Sequence, residues 1–310
     1  MSTAIPDADA RTPCIRESRH LQVSSLRNKV TLECPPHGTL TATDGITRVH
    51  VPRNGLSVTA YTTSADGSGQ LTVARSADGR HVVISDTAPS DPMPLHGDID
   101  NPCTDGTFAT RAAWPKGSTI RLRQFDSARP TALDWAIPEG LRRATHAVTD
   151  CDKGGAYSPP PDINTTVIGH TAKAPGFEAD GTCGDPDGVN TIGFMSLPSA
   201  PSRFLAVTCI WRENHRIVEG DIALRSDRVA WWMSQTPTGT PAVPCPPAHY
   251  DAVSVATHES LHFLGLAHVQ GGHRGLSVTP DIPACSTDPS TLGLGDYRGL
   301  IHLYGPTSST

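Results

Sequence analysis

The chain has 310 residues, of which 37% are hydrophobic, so it can bury one large core or two moderate ones, and we favour two domains. The formal net charge of −6 provides no polycationic surface, which argues against nucleic acid as a partner. No apolar run approaches the roughly 20 residues of a membrane span. We therefore expect a monomer with no membrane span.

Cysteine usage indicates an oxidising compartment. The eight cysteines are even in number and form no CxxC pair, which favours four disulfides over a metal cluster. Residues 1–30 lack the apolar core of a signal peptide, and Met1 looks like a start placed before a mature chain whose export signal was removed. We expect a secreted, extracellular protein. The pairings that we predict are Cys183 with Cys209 and, from proximity, Cys14 with Cys34, and the rest stay open.

Short β-prone runs separated by turn signals occupy residues 27–86, and they predict a small all-β domain over residues 1–95. Its role is open between an inhibitory propeptide and an accessory, substrate-targeting module. The proline-rich stretch from Thr87 to Asp100 indicates a linker, which we place at 96–102. The predicted strands are Lys29–Glu33, Thr39–Ala42, Arg48–Val51, Leu56–Thr62, Gln70–Ala74 and His81–Ile84.

Beyond the linker the pattern mixes strands and helices, which predicts an α/β (α+β) domain over residues 103–310. Pro138 begins a run in which apolar residues recur at helical spacing as far as Cys151. A second helix is expected to begin near Asp251, whose carboxylate suits a helix N-terminus. The last helix should span Asp296 to Tyr304. The predicted strands here are Thr119–Arg123, Thr165–Ile168, Phe204–Cys209 and Ile217–Leu224.

The stretch from His258 to His268 has the spacing of a catalytic zinc site. His258 and His262 stand four residues apart and so share one face of a helix. Gly265 permits the left-handed residue that ends a helix, after which the chain can return His268 as a third ligand. Three neutral imidazoles with an open fourth position are typical of catalytic rather than structural zinc. Glu259 follows the first ligand and can act as a general base.

The pattern from His258 to His268 resembles the extended zinc signature of the metzincin metallopeptidases. Two flanking segments resemble the matrixin branch and its secreted bacterial relatives. The segment from Trp114 to Ile120 is similar to a tryptophan-led first strand, and the segment from Asp296 to Gly305 is similar to a closing helix. The resemblance covers about the last 200 residues and implies a mixed, twisted sheet with an active-site helix.

The same resemblance implies roles for individual residues. One zinc ion would be held by His258, His262 and His268, with Glu259 activating a zinc-bound water that attacks the peptide carbonyl. Four residues resemble the edge strand along which such enzymes bind an extended substrate, although an ordinary buried strand explains them equally well. These four are Leu205, Ala206, Val207 and Thr208.

Three positions depart from the family pattern. Leu261 stands where the family usually has glycine before the second histidine. No methionine follows His268, and Val278 stands where the turn beneath the zinc usually carries one. We expect looser packing beneath the zinc, without loss of the metal. Gly295 precedes Asp296 where matrixins often have two acids, so anchoring of a freed amino terminus there is in doubt, while Asp296 is expected to hydrogen-bond the turn.

Two further candidates have competing explanations. Four oxygen-bearing residues in a glycine-rich loop suit calcium, but such residues also occupy turns for backbone reasons alone. These are Asp180, Asp185, Asp187 and Asn190. Cys103 lies where latent matrixins carry a zinc-blocking thiol, yet the even number of cysteines favours a disulfide.

The sequence thus predicts a secreted zinc endopeptidase that hydrolyses internal bonds of extended protein or peptide substrates. The alternative, from another class, is a zinc-containing binding or adhesion protein whose protease site has degenerated. Leu261 and Val278 favour that alternative, and an intact Glu259 argues against it, because a binding protein needs no base at that position.

Overall fold

The computed structural model describes residues 20–22, 30–33, 41–65, 67–85, 101–126, 132–235 and 244–307. It is an α/β arrangement built on a mixed nine-stranded sheet with three α-helices. No helix among these residues has both the length and the apolar character needed to span a membrane. The predicted pair Cys14–Cys34 lies outside the described residues.

The large sheet joins segments from both sides of the predicted linker. Its strand order is β2-β7-β6-β5-β11-β12-β10-β8-β9, and smaller sheets join β1-β3-β4 and β13-β14. The strands are β1 His20–Gln22, β2 Val30–Glu33, β3 Thr41–Thr43, β4 Arg48–His50, β5 Leu56–Ser64, β6 Gly69–Arg75, β7 His81–Ser85, β8 Thr119–Phe125, β9 Asn164–Thr171, β10 Asn190–Met195, β11 Phe204–Glu213, β12 Arg216–Arg225, β13 Trp231–Trp232 and β14 Tyr250–Asp251.

The two halves of the sheet differ in strand direction. Strands β12, β10, β8 and β9 are paired in parallel, whereas β12, β11, β5, β6, β7 and β2 are paired antiparallel. Because β5 pairs with β11, described strands from before residue 86 share one sheet with strands from after residue 118. The division into domains 1–95 and 103–310, with a linker at 96–102, stays a prediction.

Three helices accompany the sheet: α1 Ala136–Thr145, α2 Ala252–Phe263 and α3 Leu294–Tyr304. The prediction that α1 reaches Cys151 is wrong, because Ala147 adopts a left-handed backbone with φ 50° and the helix ends two residues earlier. Helices α1 and α2 cross closely at Gly140, where an added Cβ would lie 2.5 Å from the Ala256 carbonyl carbon. The absence of a side chain at Gly140 therefore lets the two helices lie in direct contact.

Apolar side chains form two separate cores. Each central strand contributes some of its residues to one core and the rest to the other. On β11, Ala206 and Ile210 join the helices, while Val207 and Trp211 belong to the second cluster. This alternation is expected for a strand buried on both faces. Tyr61 on β5 belongs to the helix-side core. The sheet therefore places one face of β5 and β11 against α2.

Three disulfides connect the described cysteines: Cys103–Cys151, Cys183–Cys209 and Cys245–Cys285. The predicted pair Cys183–Cys209 is confirmed, with a Cα–Cα distance of 6.0 Å. Because Cys103 is bonded to Cys151, it is not the free thiol that a zinc-blocking switch requires.

Candidate metal centre

Helix α2 carries the first two histidines and the glutamate into the interior. It begins after Asp251, whose side chain caps the helix by accepting a hydrogen bond from Ser254 N at 2.9 Å, as its sequence position predicts. His258, Glu259 and His262 all have no exposed surface. An isolated charge at such a depth is costly, so these groups need a bound ion or polar partners.

The chain leaves α2 through a left-handed residue, as the glycine predicts. Gly265 has φ +99°, and an added Cβ would lie 1.8 Å from the Ala112 carbonyl oxygen. The segment after the turn is held by Ala267 N, which donates to Ala109 O at 2.8 Å. This return brings His268, which is 4% exposed, back to the two helix histidines.

The three imidazoles meet through their Nε2 atoms. His262 Nε2 lies 3.0 Å from both His258 Nε2 and His268 Nε2, and the remaining separation is 3.3 Å. A tetrahedral zinc with Zn–N bonds of about 2.0–2.1 Å separates its ligand nitrogens by about 3.3 Å. Among the described residues, these histidines form the group of three or more His, Cys, Asp or Glu side chains that could hold a metal ion.

Hydrogen bonds on the opposite edge of the helix histidines orient them for a metal. His258 Nδ1 donates to the Ser277 carbonyl oxygen at 2.6 Å, and His262 Nδ1 donates to the Leu266 carbonyl oxygen at 2.9 Å. A neutral imidazole that donates through Nδ1 has its lone pair on Nε2. These lone pairs point at one another unless a cation lies between them, so the donor set fits a divalent metal.

Burial also favours the neutral form of the ligands. It lowers the pKa of His258 to about 4 and lowers the pKa values of His262 and His268 well below their usual value of 6.5. For His262, the two neighbouring imidazoles add to the effect. Metal binding requires deprotonated imidazole, so these side chains need lose no proton near neutral pH to accept an ion.

Glu259 lies beside the triad with only one of its oxygens engaged. Thr208 Oγ1 on β11 donates to Glu259 Oε2 at 2.5 Å, while Oε1 is buried without a hydrogen-bond partner among the described residues. Burial raises the pKa of Glu259 to about 7, and the nearby hydroxyls of Thr208 and Thr63 oppose that rise. A carboxyl group titrating near neutrality, with one unengaged oxygen, is suited to accept a proton.

Strands β5 and β6 contribute residues to the site that the sequence analysis missed. The Tyr61 ring stacks on His262 with a centroid distance of 4.1 Å and an interplanar angle of 6°, and it meets His268 edge-on at 6.0 Å. Gln70 Oε1 accepts a weak hydrogen bond from His268 N at 3.4 Å. The β-prone run Leu56–Thr62 predicted a strand but carried no signal about which element that strand would meet.

The turn that carries Val278 in place of methionine, residues 275–280, is buried at Ser277 and Val278 and is held by α3. Asp296 accepts hydrogen bonds from Ser277 N at 2.8 Å and Val278 N at 3.3 Å, which is the contact expected from the sequence. Ser277 in turn receives the His258 bond, so the closing helix fixes the first ligand through two hydrogen bonds. Val278 and Leu261 both lie in the helix-side core.

The four residues predicted for calcium have separate partners. Asp180 pairs with Arg48 at 2.6 Å, and Asp187 pairs with Lys173 at 2.6 Å. Asn190 Oδ1 accepts from Gly220 N at 3.0 Å, and Asp185 is exposed. Calcium binding at this loop stays a prediction.

The predicted substrate strand, residues 205–208, lies within β11 and is paired on both sides. Ala206, Val207 and Thr208 face β12 on one side and Thr63, Thr62 and Tyr61 of β5 on the other.

Comparison with known proteins adds no family: no protein-family model matches the chain, and no curated protein matches it.

Proposed function

We propose that this protein is a secreted zinc-dependent endopeptidase. The observation that carries the proposal is the convergence of three buried imidazole Nε2 atoms, separated by 3.0–3.3 Å, beside a buried glutamate. Three histidine ligands leave a fourth position open for chemistry. The three disulfides support an oxidising, extracellular location.

Each residue of the centre has a distinct task in this proposal. When bound, zinc supplies Lewis acidity, which lowers the pKa of water and polarises a carbonyl oxygen. His258, His262 and His268 would hold it, and the Ser277 and Leu266 carbonyls fix the two helix imidazoles for that role. Glu259 accepts the proton of the attacking water at Oε1 and passes it to the leaving amine.

Thr208 is a positioning residue for that proton transfer. Its hydroxyl holds Glu259 Oε2, which leaves Oε1 as the oxygen directed to the reacting water. Thr208 lies on β11, and β11 packs against α2, so the strand and the base keep a fixed relation. An extended peptide bound along β11 at residues 205–208, in the place that β5 occupies in this structure, would present its carbonyl beside the base.

The substitution Glu259→Gln tests the proposal. We expect cleavage of casein or a peptide library to fall by at least about 100-fold, because the amide cannot take the proton. Zinc content should stay near one ion per chain, as measured by atomic emission. Phenanthroline should abolish cleavage by the unmodified protein.

Glu213→Gln is the matched control, because Glu213 is an exposed glutamate at the far end of β11. This variant should keep both zinc and activity. Full activity in Glu259→Gln would overturn the role of the base. One zinc per chain with no cleavage of any peptide would favour the zinc-containing binding protein.

A further inference from the structure

A hairpin from the first third of the chain covers the histidines. Strands β5 and β6 form it, and its described residues contact the site at two points. Tyr61 stacks on His262, and the side chain of Gln70 accepts a hydrogen bond from His268 N. Ser68, near the tip, donates a hydrogen bond to the Pro280 carbonyl at the end of the turn that carries Val278. Beneath the hairpin, the three histidines and Glu259 are at most 4% exposed.

The same hairpin occupies one complete side of β11. Strand β5 pairs antiparallel with it from Phe204 to Glu213, while β12 pairs with the other side. Without β5, strand β11 would be a sheet edge with unpaired N–H and C=O groups, which is a template for an extended peptide. Thr208 on that edge touches Glu259, so a peptide added there would lie beside the base.

We infer that the β5–β6 hairpin is a built-in cover that occupies the place of an extended peptide substrate on β11. Peptides reach Glu259 only after the hairpin leaves the strand. The inference rests on the proposed function for the identity of the occupant, but the covering itself depends only on the contacts of Tyr61 and Gln70 and on the pairing of β5 with β11. The opened state exchanges one antiparallel partner of β11 for another, so substrate can recover the backbone hydrogen bonds that the hairpin gives up.

Two opposite variants of the full, zinc-loaded chain test the cover. Tyr61→Ala removes the ring that stacks on His262 and should loosen the hairpin. Thr62→Cys with Val207→Cys should lock it, because these residues are directly opposite in the β5–β11 register. Directly opposite antiparallel residues have Cα atoms about 4.5–5.5 Å apart, within the range of a disulfide. Val207 belongs to the core on the sheet face away from the histidines, so the lock does not touch the ligands.

The primary measurement is the rate at which a chromogenic chelator removes zinc, which needs no catalysis. We expect Tyr61→Ala to lose zinc at least about tenfold faster than the oxidised lock, because local opening limits access. Tyr61→Phe keeps the stack and should match the unmodified chain. Reducing the lock with a phosphine should restore the unmodified rate, with the unmodified chain treated identically as the control.

Hydrogen exchange separates opening of the hairpin from general loss of stability. Alternate residues of β11 bond to β5 and to β12. In Tyr61→Ala, only the amides that face β5 should lose protection, whereas equal loss at both sets would overturn a local cover. If Tyr61→Ala fails to fold, the comparison of oxidised and reduced lock still decides.

The two hypotheses fail in different ways. Equal rates of zinc loss from the oxidised lock and from the reduced lock or Tyr61→Ala would overturn the cover, whatever the activity. Faster zinc loss from Tyr61→Ala without cleavage of any peptide would support the cover and contradict the proposed proteolysis. Faster zinc loss together with increased cleavage would support both.

Discussion

Single hydrogen bonds decide how the residues of the metal centre can act. The Ser277 and Leu266 carbonyls fix the tautomers of His258 and His262, so both present a lone pair to the same point. Thr208 does the equivalent for the proposed base, because it engages only Oε2 of Glu259. These partners are two backbone carbonyls and one hydroxyl, and of the three only the Leu266 carbonyl lies within the stretch from His258 to His268.

Thr208 provides a prediction at the scale of one residue. In Thr208→Val the shape of the side chain is kept but the donor to Glu259 is lost, so the base is held less firmly. We expect kcat to fall about tenfold, the usual loss for one hydrogen bond of 1–1.5 kcal/mol, with KM nearly unchanged. Steady-state kinetics on one fluorogenic peptide would measure kcat and KM separately.

Thr208→Ser is the matched control, because it retains the hydroxyl and should recover most of the lost kcat. If serine and valine reduce kcat equally, the methyl group and its packing are responsible and the positioning role is wrong. Zinc content of both variants should remain near one ion per chain, since neither change touches a ligand.

At the scale of elements, the turn that follows α2 brings His268 to the other two histidines, and Gly265 determines the course of that turn. Gly265→Ala combines a positive φ, costing about 1–2 kcal/mol, with a Cβ only 1.8 Å from Ala112 O. We expect the turn to shift and zinc affinity to fall by at least about tenfold, since His268 moves away from the other two ligands. Competition against a chelator of known affinity would measure the loss.

Gly272→Ala is the control that separates backbone strain at a positive φ from the steric clash of an added Cβ. Gly272 has φ +96°, close to that of Gly265, but an added Cβ there meets nothing within 4 Å. This variant should lose about 1 kcal/mol of stability and keep its zinc affinity. Equal loss of zinc in both variants would show that backbone strain alone, rather than the packing of the α2 exit against Ala112, governs the ligand.

Strand β12 contains a buried carboxyl whose protonation should be visible in stability. Burial raises the pKa of Asp221 from its usual 3.8 to about 8, against two hydrogen bonds, from Gly176 N and Thr191 N. A raised pKa means that the folded chain holds a proton that the unfolded chain releases between these values. The stabilising contribution of Asp221 therefore decreases as pH rises from about 4 to about 8.

Asp221→Asn removes that dependence. Urea unfolding at pH 5, 7 and 9 should show the unmodified chain losing stability relative to the variant as pH rises. Asp288→Asn, at an exposed aspartate, should follow the unmodified profile. A difference between the unmodified chain and Asp221→Asn that stays constant with pH would mean that Asp221 is charged when folded.

Local sequence patterns predicted most of the helices and strands, but they did not predict which distant strands pair. The strands Leu56–Ser64 and His81–Ser85 contain the predicted β-prone runs Leu56–Thr62 and His81–Ile84, and the helix that follows Asp251 begins where its capping carboxylate predicts. The histidine spacing likewise indicated the ligands before any fold was known. Strand β10 was missed because Gly193 interrupts its β-prone residues. The stacking of Tyr61 on His262 depends on the pairing of β5 with β11, which no local pattern encodes.

Across the whole molecule, one sheet unites segments that the sequence divides. Strands from before residue 86 and from after residue 118 share hydrogen bonds and both cores, and Tyr61 is packed into the helix-side core. The Cys245–Cys285 disulfide closes a loop that contains α2 and all three ligands. Chain closure over 40 residues stabilises a fold by about 4 kcal/mol in the loop-entropy account. The metal centre is therefore restrained by covalent closure and by the sheet together.

Removal of the metal should accordingly affect stability well beyond the site. Zinc that binds only the folded chain stabilises it by about 4 kcal/mol when free zinc exceeds the dissociation constant about 1,000-fold. For a chain of this size each kcal/mol shifts Tm by about 2 °C, so chelation should lower Tm by roughly 8 °C. Calorimetry with and without EDTA measures the shift.

Added zinc should restore Tm and magnesium should not, since magnesium prefers oxygen ligands. His268→Ala should show little response to either metal, and an unmodified chain with the same Tm in zinc and in EDTA would rule out metal at the triad.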